Sequence, residues 1–196
     1  MLNSEVLSTI ENYFNECDLH LASLSNLEFE DAMYEMDIDF GSGATKGVFT
    51  NILDNEVVKI PFAYNEGDKM INYCDLEFEI YENAARAGLS QYFASLRIVG
   101  SIEDVTVYAQ EFCEPDDFYE SSIESIEKAE DIGSNLFNSE DSLAWAGEFI
   151  ETYGESEFVR LCNFLDKKGV NDLHSGNIGR RMNGQLCLID FSGYYG

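Results

Sequence analysis

The spacing of apolar side chains is helical at the start of the chain, becomes strand-like near residue 36 and turns helical again near residue 114. In the first segment, the apolar positions at helical spacing are Leu7, Ile10, Phe14, Cys17 and Leu21. They predict one or two amphipathic helices over residues 5–24, with Ser8 and Glu11 spaced like a capping box. We therefore expect an N-terminal helical extension over residues 1–35.

Short apolar runs separated by turn residues predict a sheet over residues 36–113. The predicted order is two strands joined by a glycine-rich turn over Asp39–Phe49, a strand at Val57–Ile60, a helix over about 68–88, and strands at Leu96–Ser101 and Val105–Phe112. This order predicts an antiparallel sheet with one helix packed on it.

Residues 114–196 form the third predicted segment, in which helices dominate. Apolar residues over Leu143–Leu165 predict one long helix or two short ones. Asn183-Gly184 predicts the turn of a hairpin between residues 178–182 and 185–189. Together the three segments predict an α+β fold.

The charge of the chain restricts its partners. Eleven Lys and Arg stand against 38 Asp and Glu, which gives a formal net charge of −27. Such a surface repels the phosphate backbone of nucleic acids and anionic membranes, so we expect neither as a direct partner. A basic protein fits better. A further alternative is mimicry of nucleic acid, in which carboxylates block an enzyme that handles DNA or RNA.

Cysteine usage and the start of the chain bear on the compartment. The five cysteines are scattered and form no CxxC pair, which is typical of reduced thiols rather than of a disulfide framework or a zinc site. The first residues lack the pattern of a signal peptide, and no apolar run approaches the ~20 residues that a membrane helix needs. We expect a cytoplasmic protein.

The strongest chemical signal lies near the C-terminal end of the sequence. Asp172 is followed five residues later by Asn177, and Asp190 stands eighteen residues after Asp172. Phosphoryl transfer requires a carboxylate that orients the acceptor hydroxyl, together with amide and carboxylate oxygens that hold magnesium. The alternatives are local: Asp172 caps a loop, and Asn177 makes a turn.

This loop, the glycine-rich turn, the Val-Val-Lys-Ile strand and the Ile-Asp-Phe sequence that ends at Phe191 resemble the protein-kinase-like fold superfamily. The loop is closest to those of aminoglycoside phosphotransferases and of small kinase-like proteins of phages and bacteria. The resemblance implies a two-lobed fold, with a small sheet and one helix followed by a shortened helical C-lobe. It also implies ATP and Mg²⁺ as cofactors, a protein or small molecule as acceptor, and the host cytoplasm if a phage encodes the chain.

The resemblance assigns a role to individual residues. It implies Asp172 and Lys59 as catalytic residues, Asn177 and Asp190 as magnesium ligands, and Gly41, Gly43, Lys46, Lys59, Glu77, Glu111 and Cys113 as nucleotide-binding residues. Lys59 would neutralise phosphates and pair with Glu77, although the helical register leaves Glu79 and Glu82 open. The alternatives are that Lys59 faces solvent and that the glycine-rich turn is an ordinary hairpin.

The sequence departs from the kinase pattern in ways that favour a second hypothesis. Val170-Asn171 stands where kinases often carry His-Arg or His-Gly, Ser192 replaces the glycine of Asp-Phe-Gly, and the sequence ends at Gly196. An acceptor platform would then come from the N-terminal helices, from the acidic residues 114–157 or from a partner. The second hypothesis is therefore a pseudokinase that acts as a binding or inhibitory protein through its acidic surface.

Overall fold

Over residues 1–66, 69–115, 121–137, 139–171 and 173–192, which a computed structural model describes, the protein has an α+β fold. The predicted class is confirmed. Contacts divide the chain into two compact units, Met1–Glu79 with Ser95–Phe112, and Ile80–Ala94 with Cys113–Gly196. The helices that we predicted as an extension belong to the first unit, together with the main sheet.

The first unit holds the five strands that the sequence predicts. Its elements are α1 (Asn3–Glu16), α2 (Asn26–Glu35), β1 (Phe40–Ser42), β2 (Lys46–Leu53), β3 (Glu56–Pro61), β4 (Tyr64–Glu66), β5 (Lys69–Ile71), the start of α3 (Tyr73–Arg86), β6 (Leu96–Ile102) and β7 (Val105–Glu111). One antiparallel sheet has the order β1-β2-β3-β7-β6. The hairpin of β4 and β5 is an element that the sequence analysis did not predict.

The helices of this unit begin where side chains satisfy their first amide groups. α3 begins at Tyr73 rather than near residue 68, because Asn72 Oδ1 accepts the N–H groups of Cys74 and Asp75 at 2.9 and 3.1 Å. α2 has a capping box, in which Ser25 and Glu28 exchange hydrogen bonds of 3.3 and 3.0 Å. The prediction at Ser8 is wrong, since α1 already begins at Asn3.

The two faces of the sheet differ in polarity. One face packs against α1 and α2 and builds an apolar core, whose members include Ile10, Phe14, Phe29, Phe49, Val58, Ile60, Val107 and Ala109. Successive side chains of a strand point to opposite faces. The residues that alternate with this core therefore point to the other face, and they include Lys59, Tyr108 and Gln110.

The second unit is mainly helical. Besides the end of α3 it contains β8 (Glu114–Pro115), α4 (Ile123–Gly133), α5 (Glu140–Tyr153), α6 (Glu155–Lys168), β9 (Ile178–Arg180) and β10 (Leu186–Leu188). Its core is rich in aromatic rings, among them Phe137, Trp145, Phe149 and Phe158. The segment 143–165 forms two helices, because Gly154 between α5 and α6 has φ +91°.

The predicted C-terminal hairpin is present. β9 and β10 pair antiparallel, and Gly184 in their turn has φ +85°, a conformation that favours glycine. β8 pairs with the other edge of β9 and completes a three-stranded sheet. Within the described residues, no helix has the length and apolar composition needed to cross a bilayer.

Candidate functional site

Lys46 and Lys59 point from neighbouring strands to the same face of the main sheet. Across the β2–β3 pair, Lys46 lies opposite Pro61 and Val48 lies opposite Lys59. Residues two positions apart on a strand share a face, so Lys46, Val48 and Lys59 project together. The two lysines are thus diagonal neighbours on the face that is not covered by the apolar core.

Both lysines bind the carboxylate of Glu77, which lies on the first half of α3. Lys59 Nζ is 2.8 Å from Glu77 Oε1, and Lys46 Nζ is 3.1 Å from Glu77 Oε2. The lysine side chains are 4% exposed and that of Glu77 is 0% exposed. Gln110 Nε2 also donates to Glu77 Oε1, at 3.3 Å.

The predicted pairing of Lys59 with Glu77 is confirmed. Glu79 is exposed, and Glu82 forms an exposed pair with Arg86 at 3.7 Å, so neither replaces Glu77. The alternative that Lys59 faces solvent is wrong, because only 3% of the residue is exposed. Lys46 contacts Glu77 as well, through its ammonium group, and its predicted contact with the phosphates stays a prediction.

A second polar pair, which the sequence analysis missed, lies beside this cluster. Tyr108 stands opposite Lys59 in the β3–β7 register, and its hydroxyl donates a hydrogen bond to Asp75 Oδ1. Burial, followed by this bond to a carboxylate, raises the pKa of Tyr108 well above its ordinary value. The phenol is therefore a neutral donor at all physiological pH values.

The glycine-rich turn forms a tight hairpin between β1 and β2, in which the Gly43 N–H donates to the Lys46 carbonyl at 3.1 Å. A Cβ added to Gly43 would meet nothing within 4 Å, and one on Gly41 would lie 3.7 Å from Val48. At Gly47, by contrast, the added atom would lie 2.6 Å from the Phe29 ring. Packing thus explains Gly47, while a phosphate contact of Gly41 or Gly43 stays a prediction.

In the second unit, the backbones of Asn177 and Asp190 lie side by side. The Asn177 carbonyl ends a short 3-10 turn, Ser175–Asn177, and accepts the N–H groups of Ile189 and Asp190 at 2.8 and 3.3 Å. Ser192 Oγ donates to Asp190 Oδ1 at 3.3 Å. Asn177 is buried and Asp190 is half-buried. Asp172 lies outside the described residues.

These two residues fit the chemistry of a magnesium site. Carboxylate and amide oxygens are the ligands that Mg²⁺ prefers, and Mg²⁺ commonly takes only one or two protein ligands and completes its shell with phosphates and waters. Among the described residues there is no cluster of three His, Cys, Asp or Glu that could hold a metal. A site at Asn177 and Asp190 would therefore be of this sparse kind.

The remaining predicted nucleotide contacts have structural partners. Glu111 ends β7, where its carboxylate accepts the Ser95 N–H at 3.2 Å and its N–H donates to the Ser95 carbonyl at 2.8 Å. Cys113 is buried in a small cluster with Ala94 and Cys187. The two residues belong to different units.

Two arginines of the β9–β10 hairpin also have structural roles. Arg180 binds the Glu148 carboxylate through two hydrogen bonds of 2.8 and 2.5 Å. Arg181 donates to the carbonyls of Gln91 and Phe93 at 2.7 and 2.5 Å. These contacts fix the hairpin within the second unit.

Comparison with models of known protein families, with curated protein sequences and with solved structures finds no match to this chain. We therefore infer the function from the sequence motifs and from the contacts that the residues of these motifs make.

Proposed function

We propose that this chain is a minimal kinase-like phosphotransferase, which binds Mg-ATP and transfers phosphate to a protein or a small molecule. The observation that carries the proposal is the buried ion pair between Lys59 on β3 and Glu77 on α3, whose charged atoms are 2.8 Å apart. A lysine is rarely buried without a functional or structural reason, because its charge must be compensated. A lysine held in this way is suited to neutralise nucleotide phosphates.

The residue roles follow the chemistry of phosphoryl transfer. Lys59 would stabilise negative charge on the phosphates, and Asn177 with Asp190 would hold the magnesium ion. Mg²⁺ supplies neutralisation of the charge that develops on the phosphates. Asp172 would accept the proton of the acceptor hydroxyl while the hydroxyl oxygen forms a bond to the γ-phosphorus. The bond between the γ-phosphorus and the oxygen of the β-phosphate breaks, and ADP leaves.

The kinase-like, two-lobed arrangement is part of the same proposal. It is supported by the division into two units and by the composition of the first, a five-stranded antiparallel sheet with a helix that follows β5. The cytoplasm is the proposed compartment, since none of the five cysteines, all of them described, forms a disulfide.

Thermal unfolding with and without Mg-ATP tests the proposal. Ligand at ~100 times its Kd adds about 2.7 kcal/mol of stability, which corresponds to a rise in Tm of roughly 5–10 °C for a chain of this size. We expect this rise for the wild type, and its loss in Asp190→Ala and Lys59→Met. Lys128→Met is the matched control for the lysine, because Lys128 forms an exposed pair with Glu124 on α4. A wild type without any response to Mg-ATP would refute nucleotide binding.

Transfer of phosphate needs its own assay. Release of labelled phosphate, or its transfer to candidate acceptors, should require Asp172, so we expect Asp172→Ala to retain Mg-ATP binding and to lose turnover. Equal turnover in the two proteins would remove the catalytic part of the proposal and leave a nucleotide-binding protein.

The acidic surface favours a second candidate function, that of a pseudokinase which binds or inhibits a basic protein. The observation behind it is the net charge of −27, with exposed acidic residues on α4 such as Glu124, Glu127 and Glu130. Binding to a cationic probe such as poly-lysine should weaken steeply when the salt concentration rises from about 50 to about 500 mM, because the Debye length then falls from ~14 Å to ~4 Å. If the partner is an enzyme that handles DNA or RNA, nucleic acid should compete with this protein for the cleft of that enzyme.

A further inference from the structure

We propose that the outer edge of β1, together with the adjoining surface of α2, binds an extended basic segment of a partner protein as an additional strand. The main chain of this segment would pair with Phe40 and Ser42, and its lysine or arginine side chains would lie against nearby carboxylates. The inference goes beyond phosphoryl transfer and does not depend on nucleotide binding. All residues concerned belong to the first unit.

The hydrogen bonds between β1 and β2 show which main-chain groups of β1 face the edge of the sheet. Opposed residues of an antiparallel pair alternate between those that exchange hydrogen bonds and those that do not. The Gly43 N–H donates to the Lys46 carbonyl at 3.1 Å, and the Thr50 N–H donates to the Asp39 carbonyl at 3.4 Å. Residues 39, 41 and 43 are therefore the ones that bond to β2.

The N–H and carbonyl groups of Phe40 and Ser42 accordingly point away from β2. In the sheet order, β2 is the neighbour of β1, and no other described strand pairs with β1. These main-chain groups make no hydrogen bond with any residue that the structure describes. An unpaired strand edge is a template for a further strand, and main-chain hydrogen bonds give the affinity when an extended peptide is added.

A groove of about 500 Å³ lies beside this edge, and we call it the α2–β1 groove. Its lining includes Glu30, Tyr34, Asp37, Asp39, Phe40 and Ser42. The side chains of Phe40 and Ser42 point to the face that α2 covers, since Phe40 packs against Phe29 and Ser42 Oγ donates to Asn26 Oδ1 at 2.8 Å. Every second side chain of an added strand would point to this same face and hence toward the groove.

The α2–β1 groove combines negative charge with an aromatic surface. Its carboxylates belong to Glu30, Asp37 and Asp39, and none of them forms an ion pair or a hydrogen bond with the described part of the chain. Tyr34 is 74% exposed, and its ring packs edge-on against Phe40 with 5.0 Å between the ring centroids. Carboxylates and exposed aromatic rings both attract ammonium and guanidinium groups. The groove therefore favours lysine and arginine side chains.

Charge also decides between a partner protein and a second copy of this chain. The first 45 residues contain ten Asp and Glu and no Lys or Arg. A second β1 edge would bring the same carboxylates into the groove, and like charges opposed across two strands are destabilising. An extended basic segment meets opposite charge instead, so we expect a different protein as the partner.

Fluorescence anisotropy with the whole chain and labelled peptides of about seven residues tests the inference. The probe peptide alternates lysine with threonine, so that all its lysines lie on one face when it is extended. We expect this peptide to bind, and we expect a peptide that alternates glutamate with threonine not to bind. Equal affinity for the two peptides would overturn the inference.

Methylation of the peptide nitrogens separates strand addition from attraction between charges alone. In an added strand every second N–H points to β1, and the others point away. We compare a peptide methylated at its lysine nitrogens with one methylated at its threonine nitrogens. Only one of them should lose affinity, by about tenfold or more, because its hydrogen bonds to β1 are lost. The inference fails if both methylated peptides bind equally.

Substitutions in the protein locate the binding surface. The triple variant Glu30→Gln/Asp37→Asn/Asp39→Asn removes the carboxylates of the α2–β1 groove and should bind the lysine peptide about tenfold or more weakly. Asparagine suits position 37, because Asp37 has φ 54° and asparagine is also enriched in this conformation. Thermal unfolding checks that the variant is folded.

A matched control makes the same change of charge elsewhere. Glu127→Gln/Glu130→Gln/Asp131→Asn alters three exposed side chains of α4 and should bind the lysine peptide as the wild type does. If it loses as much affinity as the groove variant, the acidic surface as a whole attracts the peptide. The inference then fails, while the second candidate function stands.

Tyr34→Ala gives a further test if the groove variant does not fold. Its side chain is exposed, and the loss of its attraction for a cation should weaken the lysine peptide by about 2- to 5-fold. Wild-type affinity in Tyr34→Ala, together with equal binding of the methylated peptides, would refute the α2–β1 groove as the binding surface. None of these measurements contains nucleotide, so a failure of Mg-ATP to bind would overturn the proposed phosphotransferase and leave this inference intact.

Discussion

At the scale of single residues, the stability of the fold depends on one carboxylate, which neutralises two buried lysines. Glu77 is the shared partner of Lys46 and Lys59, and all three side chains are at most 4% exposed. Ions in such a place lose most of their hydration, which only close pairing and hydrogen bonds can offset. Substitutions in this cluster should therefore affect folding as well as ligand binding.

We expect Glu77→Ala to lower the free energy of unfolding by about 3–5 kcal/mol, because two ammonium groups lose their shared carboxylate in a buried site. Urea denaturation measures this change. Glu82→Ala is the control on the same helix, since its pair with Arg86 is exposed and 3.7 Å long and should contribute less than about 0.5 kcal/mol. Similar losses in the two variants would contradict the role given to Glu77.

An exposed residue pair gives a pH-dependent contact. His20 Nδ1 is 2.9 Å from Glu103 Oε1, and this hydrogen bond, followed by the charge of Glu103, raises the pKa of His20 above its ordinary 6.5. The pair contributes to stability fully below the ordinary pKa of histidine, and the contribution is lost as the pH rises through the raised value. NMR titration of the His20 ring should show a pKa above 6.5 in the wild type and a lower one in Glu103→Gln. An unchanged pKa in the variant would contradict the contact.

At the scale of elements, hydrophobic pattern and turn residues predict the main sheet well. The strands at 57–60, 96–101 and 105–112 are present because apolar residues, bounded by turn residues, fit a buried sheet. The pattern predicted a helical extension over residues 1–35 but not the bounds of α2 (Asn26–Glu35), which carries only three buried residues, Phe29, Ala32 and Met33. It also missed the hairpin of β4 and β5, because three-residue strands are too short for a period to emerge.

Packing between elements explains which glycine of the β1–β2 hairpin is essential to the fold. The Phe29 ring of α2 lies where a Cβ of residue 47 would be, at 2.6 Å, and it also packs edge-on against Phe49. We expect Gly47→Ala to cost about 1–3 kcal/mol, since a fully buried ring has to shift. Thermal unfolding measures the loss.

Gly43→Ala in the same hairpin is the matched control, because an added Cβ there meets nothing within 4 Å. Its stability should remain at or slightly above that of the wild type. If nucleotide phosphates lie against this turn, Gly43→Ala should nevertheless reduce the affinity for Mg-ATP. Equal destabilisation by both alanines would show that the hairpin is constrained in another way.

At the scale of the whole molecule, the sequence pattern predicts only some of the contacts between residues that lie far apart in the chain. The spacing of Asn177 and Asp190 predicted a common site, and their backbones are adjacent. The position of Lys59 on a strand left its direction open, because alternation alone does not say which face a helix covers. Lys46 and Gln110 could not be assigned to the Glu77 cluster, nor Tyr108 to its pair with Asp75, since their placement depends on the registers of β2 and β7.

The net charge of −27 is itself a property on this scale, and it should make the stability of the fold depend on salt. Like charges on a compact chain repel one another, and the Debye length falls from about 30 Å at 0.01 M to about 10 Å at 0.1 M salt. We therefore expect the Tm to rise when the NaCl concentration increases from about 10 to about 300 mM, the range over which this screening acts. The buried Glu77 cluster is shielded from mobile ions, so the destabilisation caused by Glu77→Ala should be nearly the same at both ends of this range. A Tm that falls with salt would mean that favourable ion pairs, such as Arg180 with Glu148, outweigh the repulsion among the acidic groups.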